Sequence, residues 1–287
     1  MKSLLRKISI ILDAIKFPHT LFALPFAIMS AFLAADGMPT ARQLFWILMC
    51  MVGARSAAMS FNRIVDARID AANPRTAQRA IPTGKLTVAE TAVFMVIMIA
   101  LFVFSASRLN RLAFALSPVA LIIILGYSYT KRVTHYSHFV LGLALAIAPV
   151  GAWIAVKEEF HIVALLLGLA VLLWTAGFDI IYSCQDVEFD RQTGLFAIPN
   201  RFGIARALVI SAALHAAMVV VLLVILATAR LGVVYAAGVV IVSVLLVYEH
   251  AIVKPHDLSR VNMAFFNING IVSLLLMLLT IVDIMIQ

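Results

Sequence analysis

Two polar stripes interrupt an otherwise apolar chain: Asn62, Asp66 and Asp70, and then Tyr182, Asp186 and Asp190. Each repeats at i, i+4, i+8, a step that advances roughly 40° past a full helical turn, so each trio shares one helix face. Counting Asp179, five of the 14 acidic residues stand here. Asp beside hydrocarbon is costly, roughly 2.5–3.5 kcal/mol at the centre of a spanning helix and less near its ends. Carboxylates that face one another also repel. A cation must offset both effects. Mg²⁺ suits the donor set, because it takes oxygen ligands and is usually held by one or two carboxylates plus substrate phosphates. Asn62 adds a neutral amide oxygen. The stripes therefore read as two half-sites, Asn62, Asp66 and Asp70 in one and Asp186 and Asp190 in the other. Each half-site suits one Mg²⁺, with a diphosphate bridging them.

Basic residues stand close in sequence. Arg75 and Arg79 follow the first stripe, and Lys131 and Arg132 close the run Gly126-Tyr127-Ser128-Tyr129-Thr130. Arg grips phosphate or carboxylate bidentately, and Lys adds a compact charge. A diphosphate neutralised in this way is a good leaving group. If its organic part is allylic, ionisation leaves a delocalised carbocation. A long isoprenoid tail would call for a membrane-embedded enzyme, whose apolar spans hold the tail and keep water from the cation. The acceptor must be electron-rich, such as a phenol ring, and a base must take the ring proton.

The elements that position these residues are membrane spans. Hydrophobic residues make up 64% of the 287, and only 13% are charged. Mean hydropathy is +1.07. No soluble domain of this size has that composition. Nine stretches reach about 20 apolar residues: 17–35, 43–61, 88–107, 110–129, 138–156, 162–182, 207–229, 231–249 and 264–285. Nine spans put the termini on opposite faces. Sixteen Lys and Arg flank the face that holds the N-terminus, five flank the other, and Arg55 lies inside span two. That asymmetry places the N-terminus and both stripes on the cytoplasmic side of a cell membrane. The net charge of +8 is thereby explained without a nucleic-acid partner. Asp13 and Lys16 interrupt the leading apolar run, so the N-terminus reads as an amphipathic lead-in rather than a cleavable signal. Cys50 and Cys184 match no disulfide or metal pattern and read as apolar fillers.

The loops after spans two and six echo each other, with Ala80-Ile81-Pro82 after Asp70 and Ala197-Ile198-Pro199 after Asp190. We read 1–287 as one domain built from a pseudo-repeat, about 17–130 and 138–250, with a final helix at 264–285. Prolines 18, 25, 118 and 149 should bend helices or mark their ends.

At these residues the chain resembles the UbiA superfamily of intramembrane prenyltransferases. The resemblance rests on the two stripes with Asp179, on Arg75-Thr76-Ala77-Gln78-Arg79-Ala80-Ile81-Pro82-Thr83-Gly84, and on Tyr129-Thr130-Lys131-Arg132. It implies an all-α polytopic membrane protein, nine transmembrane helices around a central cavity open to the cytoplasm and to lipid. It also implies Mg²⁺-dependent transfer from a polyprenyl diphosphate to an aromatic ring. Asn62, Asp66, Asp70, Asp186 and Asp190 would hold Mg²⁺ and diphosphate. Arg75, Arg79, Lys131 and Arg132 would bind diphosphate or an acceptor carboxylate. Asp179 and Tyr182 would lie at the reacting centre, with Asp179 orienting or deprotonating the phenol. Many members carry Asn-Asp at the start of the first motif, whereas here Arg63 follows Asn62. Within the family the chain looks most like 4-hydroxybenzoate polyprenyltransferases of ubiquinone biosynthesis. A menaquinone branch that uses a dihydroxynaphthoate is the alternative, and the opening Lys16-Phe17-Pro18-His19-Thr20-Leu21-Phe22-Ala23-Leu24-Pro25-Phe26 suits both.

Two other readings share some features. A secondary transporter also combines an internal repeat with intramembrane carboxylates, but its site lies at the midplane rather than at one face. A haem acceptor would draw on His19, His135 and His138. The sequence carries no signal for oligomeric state.

Overall fold

The computed structural model describes Ile10 and residues 22–287. Among the described residues it is helical, with no strand. The elements are α1 (Leu24–Ala35), α2 (Ala41–Val65), the short α3 (Ala67–Ala72), α4 (Val88–Leu109), α5 (Arg111–Thr130), α6 (Ser137–Lys157) and α7 (Ile162–Ser183). They continue as the short α8 (Val187–Thr193) and α9 (Ile198–Phe202), then α10 (Ile204–Thr228), α11 (Val233–Ile252), a π-helical turn at Met263–Ile268, and α12 (Asn269–Ile286). Eight helices among the described residues are long and apolar enough to cross a membrane. The first expected span ends where α1 ends. Its start at 17, and residues 16–21 of the opening motif, lie outside the described residues.

Local sequence explains the ends. Thr40 with Gln43, and Thr87 with Glu90, form capping boxes that satisfy the first free N–H groups of α2 and α4. Asp36, Glu158 and Arg230 turn left-handed at or just past the ends of α1, α6 and α10. Side chains that face outward are apolar: Val96 on α4 is 59% exposed and Val240 on α11 is 63%. Such faces suit lipid, not water. The chain is a multi-pass membrane protein.

The helices form a ring in which α2, α4 and α5 pack together, α6 and α7 form the middle, and α10, α11 and α12 follow. α1 touches α6 and α12 and closes the ring. Trp174, Phe26, Met218, Leu222 and Tyr235 fill the core beside α7. Asp283 of α12 is buried and accepts from the N–H groups of Gly232, Val234 and Tyr235 at 2.6, 3.0 and 3.1 Å. It thus satisfies the start of α11 from another helix, which ties the last two spans together.

One correction concerns the stripes. The spacing predicts unbroken helix through each trio, but the helix breaks at the first Asp of both. Asp66 (φ −88°, ψ 3°) separates α2 from α3, and a 3₁₀ turn, Cys184–Asp186, separates α7 from α8. The i to i+4 bond from Asp70 N to Asp66 O survives at 2.7 Å, so the first trio still shares a face.

Tight packing at α6 gives a test. A Cβ on Gly142 would meet the Leu172 carbonyl of α7 at 2.5 Å, whereas one on Gly151 meets nothing within 4 Å. Gly142→Val should therefore destabilise by about 1–3 kcal/mol, while Gly151→Val leaves stability near wild type. Thermal unfolding in detergent measures both.

Candidate active site

The two helix breaks lie at the same end of the bundle, and the carboxylates project from them into one cavity of ≈ 780 Å³. Asp66 and Asp70 are 2% and 4% exposed. Carboxylates so buried need partners. Lys131 Nζ donates to Asp66 Oδ2 at 2.6 Å, and Arg132 Nη2 donates to its Oδ1 at 2.8 Å. Asn62 Nδ2 reaches Asp66 Oδ2 at 3.0 Å. Arg79 Nη1 donates to Asp70 Oδ1 at 2.6 Å. The other oxygen, Asp70 Oδ2, has no hydrogen-bond partner, although Arg63 Nη1 stands 3.8 Å away.

Across the cavity, Arg75 Nε donates to Asp186 Oδ1 at 2.9 Å and its Nη1 to the Tyr182 hydroxyl at 2.7 Å. Arg75 belongs to the loop after the first stripe, so it joins the two halves. Burial pulls its guanidinium down, but the bonds to Asp186 and Tyr182 outweigh this and hold it above its ordinary value. Asn73 Nδ2 adds a bond to Asp186 Oδ1 at 3.3 Å. Asp190 lines the same cavity.

Asp179 sits one turn deeper on α7. His138 Nδ1 lies 2.7 Å from its Oδ2, and the Ile198 N–H donates to His138 Nε2 at 3.3 Å. The backbone bond makes Nε2 the acceptor, so Nδ1 carries the proton and holds the carboxylate. Deeper still, Arg55 and Tyr127 line both this cavity and an adjoining apolar one of ≈ 420 Å³. Arg55 Nε has no hydrogen-bond partner. The opposite wall is aromatic, with Phe22, Phe178, Phe265 and Phe266.

Every residue expected to hold metal or diphosphate, or to stand at the reacting centre, lines this cavity except Arg132. Arg132 stands behind Asp66, where it also donates to the Val65 carbonyl at 2.9 Å and stacks over Tyr129. Among the described residues, no three His, Cys, Asp or Glu side chains form a metal cage. The two half-sites instead offer all-oxygen donors, now paired mostly with Lys and Arg. Such a donor set fits Mg²⁺ shared with phosphate oxygens, and the unpartnered Asp70 oxygen fits a cation too.

Residues 23–271 match the profile of the UbiA prenyltransferase family. The chain belongs to this family. It is therefore a prenyltransferase, and the transporter reading is set aside. It is 30% identical over 257 residues to a 4-hydroxybenzoate octaprenyltransferase of Photobacterium profundum, covering 89% of this chain and 88% of that one. A second, from Aliivibrio fischeri (strain MJ11), is 29% identical over 238 residues, 83% of each chain. Among solved structures, the apo form of a UbiA homolog from Aeropyrum pernix K1 superposes with TM-score 0.84 at 34% identity, covering 92% of this chain and 98% of that one. A UbiA homolog from Archaeoglobus fulgidus, solved bound to GPP and Mg²⁺, shares the fold at TM-score 0.68 and 19% identity, covering 96% and 99%.

Three members of this prenyltransferase site escaped sequence reasoning. Arg55 carried a signal, a lone charge inside an apolar span, which marks function by default. Asn73 carried none and His138 entered only through the haem reading, because their roles depend on partners 113 and 41 residues away. His135, the other described histidine of the haem reading, lies 3.2 Å from the Ala197 carbonyl.

The Lys131–Asp66 pair gives a test. Lys131→Met should destabilise by about 2 kcal/mol, less than a fully buried pair because Lys131 is partly exposed. Adding Asp66→Asn should recover most of that loss. A double-mutant cycle by thermal unfolding would read a coupling of about 1–2 kcal/mol. No coupling would mean that Lys131 does not hold Asp66.

Proposed function

We propose that the chain transfers a polyprenyl group from its diphosphate to the ring of 4-hydroxybenzoate, at the cytoplasmic face of a bacterial inner membrane. The observation that carries this reading is the cavity itself. One end gathers two carboxylate stripes and their cations, one wall is aromatic, and an Arg with an unpaired Nε stands at the deep end. A substrate that is part diphosphate and part hydrocarbon, and an acceptor with a carboxylate, match those three surfaces. The names of the relatives agree with this acceptor. The skewed distribution of Lys and Arg supports the cytoplasmic side.

Lys131, Arg79 and Arg75 bind the diphosphate. Each now holds a carboxylate, so binding exchanges carboxylate contacts for phosphate contacts. Asn62, Asp66 and Asp70 would hold one Mg²⁺ and Asp186 and Asp190 another, which would supply further charge neutralisation to the departing diphosphate. Arg132 keeps Asp66 in place from behind. The aromatic wall takes the allylic end of the tail and excludes water.

Arg55 anchors the carboxylate of the acceptor. The apolar cavity behind it lowers the local dielectric and strengthens that attraction. Asp179, oriented by the His138 Nδ1–H, faces the phenol and accepts a proton as the new C–C bond forms. Tyr182, fixed by Arg75, separates the diphosphate end from this reacting centre. Carboxylates, cations and base thus follow one another along a single path.

Asp66→Asn and Asp186→Asn should each lower kcat/KM at least about 100-fold, and wild-type activity should vanish on chelation of divalent metal. Arg55→Ala should raise the KM for 4-hydroxybenzoate by about 10-fold or more, with the KM for the diphosphate nearly unchanged. A membrane assay with mass identification of product checks all of these. A dihydroxynaphthoate is offered in parallel. Prenylation of the naphthoate alone would replace the acceptor and leave the site standing. Wild-type turnover in both Asn variants would contradict the metal assignment.

A further inference from the structure

A second polar cluster lies beside the aromatic wall, away from the carboxylates. Trp174 of α7, Glu249 of α11 and Asn269 at the head of α12 have 0% exposure. Trp174 Nε1 donates to Asn269 Oδ1 at 2.6 Å. An indole N–H can only donate, so this bond fixes which way the amide faces. Asn269 Nδ2 then donates to Glu249 Oε1 at 2.8 Å and to the Ala264 carbonyl at 3.1 Å. Its oxygen and both N–H groups are all engaged. An ionisable residue buried in a span is expensive and marks function by default.

The Ala264 contact joins this network to the π-helical turn Met263–Ile268. A π turn shifts the backbone bonds out of the α register and recurs at functional sites. Carbonyls left by that shift need partners, and Asn269 supplies one. The turn carries Phe265 and Phe266, and both line the active-site cavity. Their ring centroids lie 4.3 and 6.1 Å from that of Tyr182. Phe265 also meets Phe178 at 5.1 Å. In a regular helix, adjacent side chains point roughly 100° apart. The wider π turn lessens that angle and draws the two successive rings towards one wall.

We propose that Trp174, Asn269 and Glu249 are positioning residues that hold the π turn, and so set how the allylic carbocation divides between the acceptor ring and water. The inference rests on the proposed transfer reaction. The C1–O bond of the diphosphate breaks, and its electron pair leaves with the diphosphate. The cation is then captured either by a ring carbon, with loss of the ring proton to base, or by a water oxygen, with loss of a proton to solvent. The first route gives the prenylated acid and the second a prenyl alcohol. Aromatic faces attract the cation and a closed wall excludes water, so a loosened π turn favours the alcohol.

The test uses the full chain in liposomes with Mg²⁺, a polyprenyl diphosphate and 4-hydroxybenzoate, and measures the ratio of prenyl alcohol to prenylated acid. Asn269→Ala and Trp174→Phe should each raise that ratio about fivefold. Trp174→Phe keeps an aromatic ring against Phe26 and Phe178 and removes the donor with part of the indole, a smaller change than Asn269→Ala makes to the turn, so it decides the question if Asn269→Ala fails to fold. Glu249→Gln still offers an oxygen to Asn269 and should leave the ratio within about twofold of wild type. An unchanged ratio in Trp174→Phe, or an equal rise in Glu249→Gln, overturns the assignment. Absence of prenylated acid from the wild type contradicts the proposed acceptor instead, so the two failures are distinguishable.

Discussion

The structure turns on keeping carboxylates charged at the end of apolar helices. Asp66 and Asp70 are almost wholly buried, and neither could stay ionised alone. Lys131, Arg132 and Arg79 surround them, and Arg75 does the same for Asp186 across the cavity. Arg79 is only nine residues from Asp70, but Lys131, Arg132 and Arg75 come from distant segments, so the charge balance at Asp66 and Asp186 exists only once the bundle has closed. The site also inherits its chemistry from the balance. Cations close enough to neutralise buried carboxylates are close enough to accept a diphosphate, at the loss of contacts that Mg²⁺ can replace.

Each stripe crosses a helix break. An unbroken helix would carry the later residues of each trio straight on along its axis. The break at Asp66 and the 3₁₀ turn at Cys184–Asp186 start the short helices that carry Asp70 and Asp190, both of which line the cavity. The loop after α3 can then send Arg75 over to Asp186 and Tyr182. A similar device serves the opposite wall, where a π turn places two adjacent aromatic rings on one surface. The regular spans supply the scaffold, and the irregular turns aim the chemistry.

Much of this was legible in the sequence, for a physical reason. Bilayer thickness dictates the length of a span, so the expected 88–107, 138–156 and 162–182 fall within a few residues of Val88–Leu109, Ser137–Lys157 and Ile162–Ser183. The stripes were legible because clustered carboxylates are rare in so apolar a chain. The helix breaks were not, since spacing of four looks the same with or without them. Nor was the place of Arg132 behind Asp66, because adjacent basic residues at a helix end give no sign of which one faces inward. The bond of His138 to Asp179, and the Trp174–Asn269–Glu249 network, join helices far apart in the chain. Only packing reveals them.

The central claim is that the carboxylates act through metal shared with the diphosphate, not through the cations alone. Linkage between the two ligands tests it directly. Binding of a non-reactive polyprenyl diphosphate analogue would be titrated against the full chain at several Mg²⁺ concentrations. The account predicts that Mg²⁺ tightens the analogue by about 10-fold or more, and that the analogue tightens Mg²⁺ by the same factor. Equal affinity for the analogue with and without Mg²⁺ would contradict it and leave the cations as the whole of the diphosphate site.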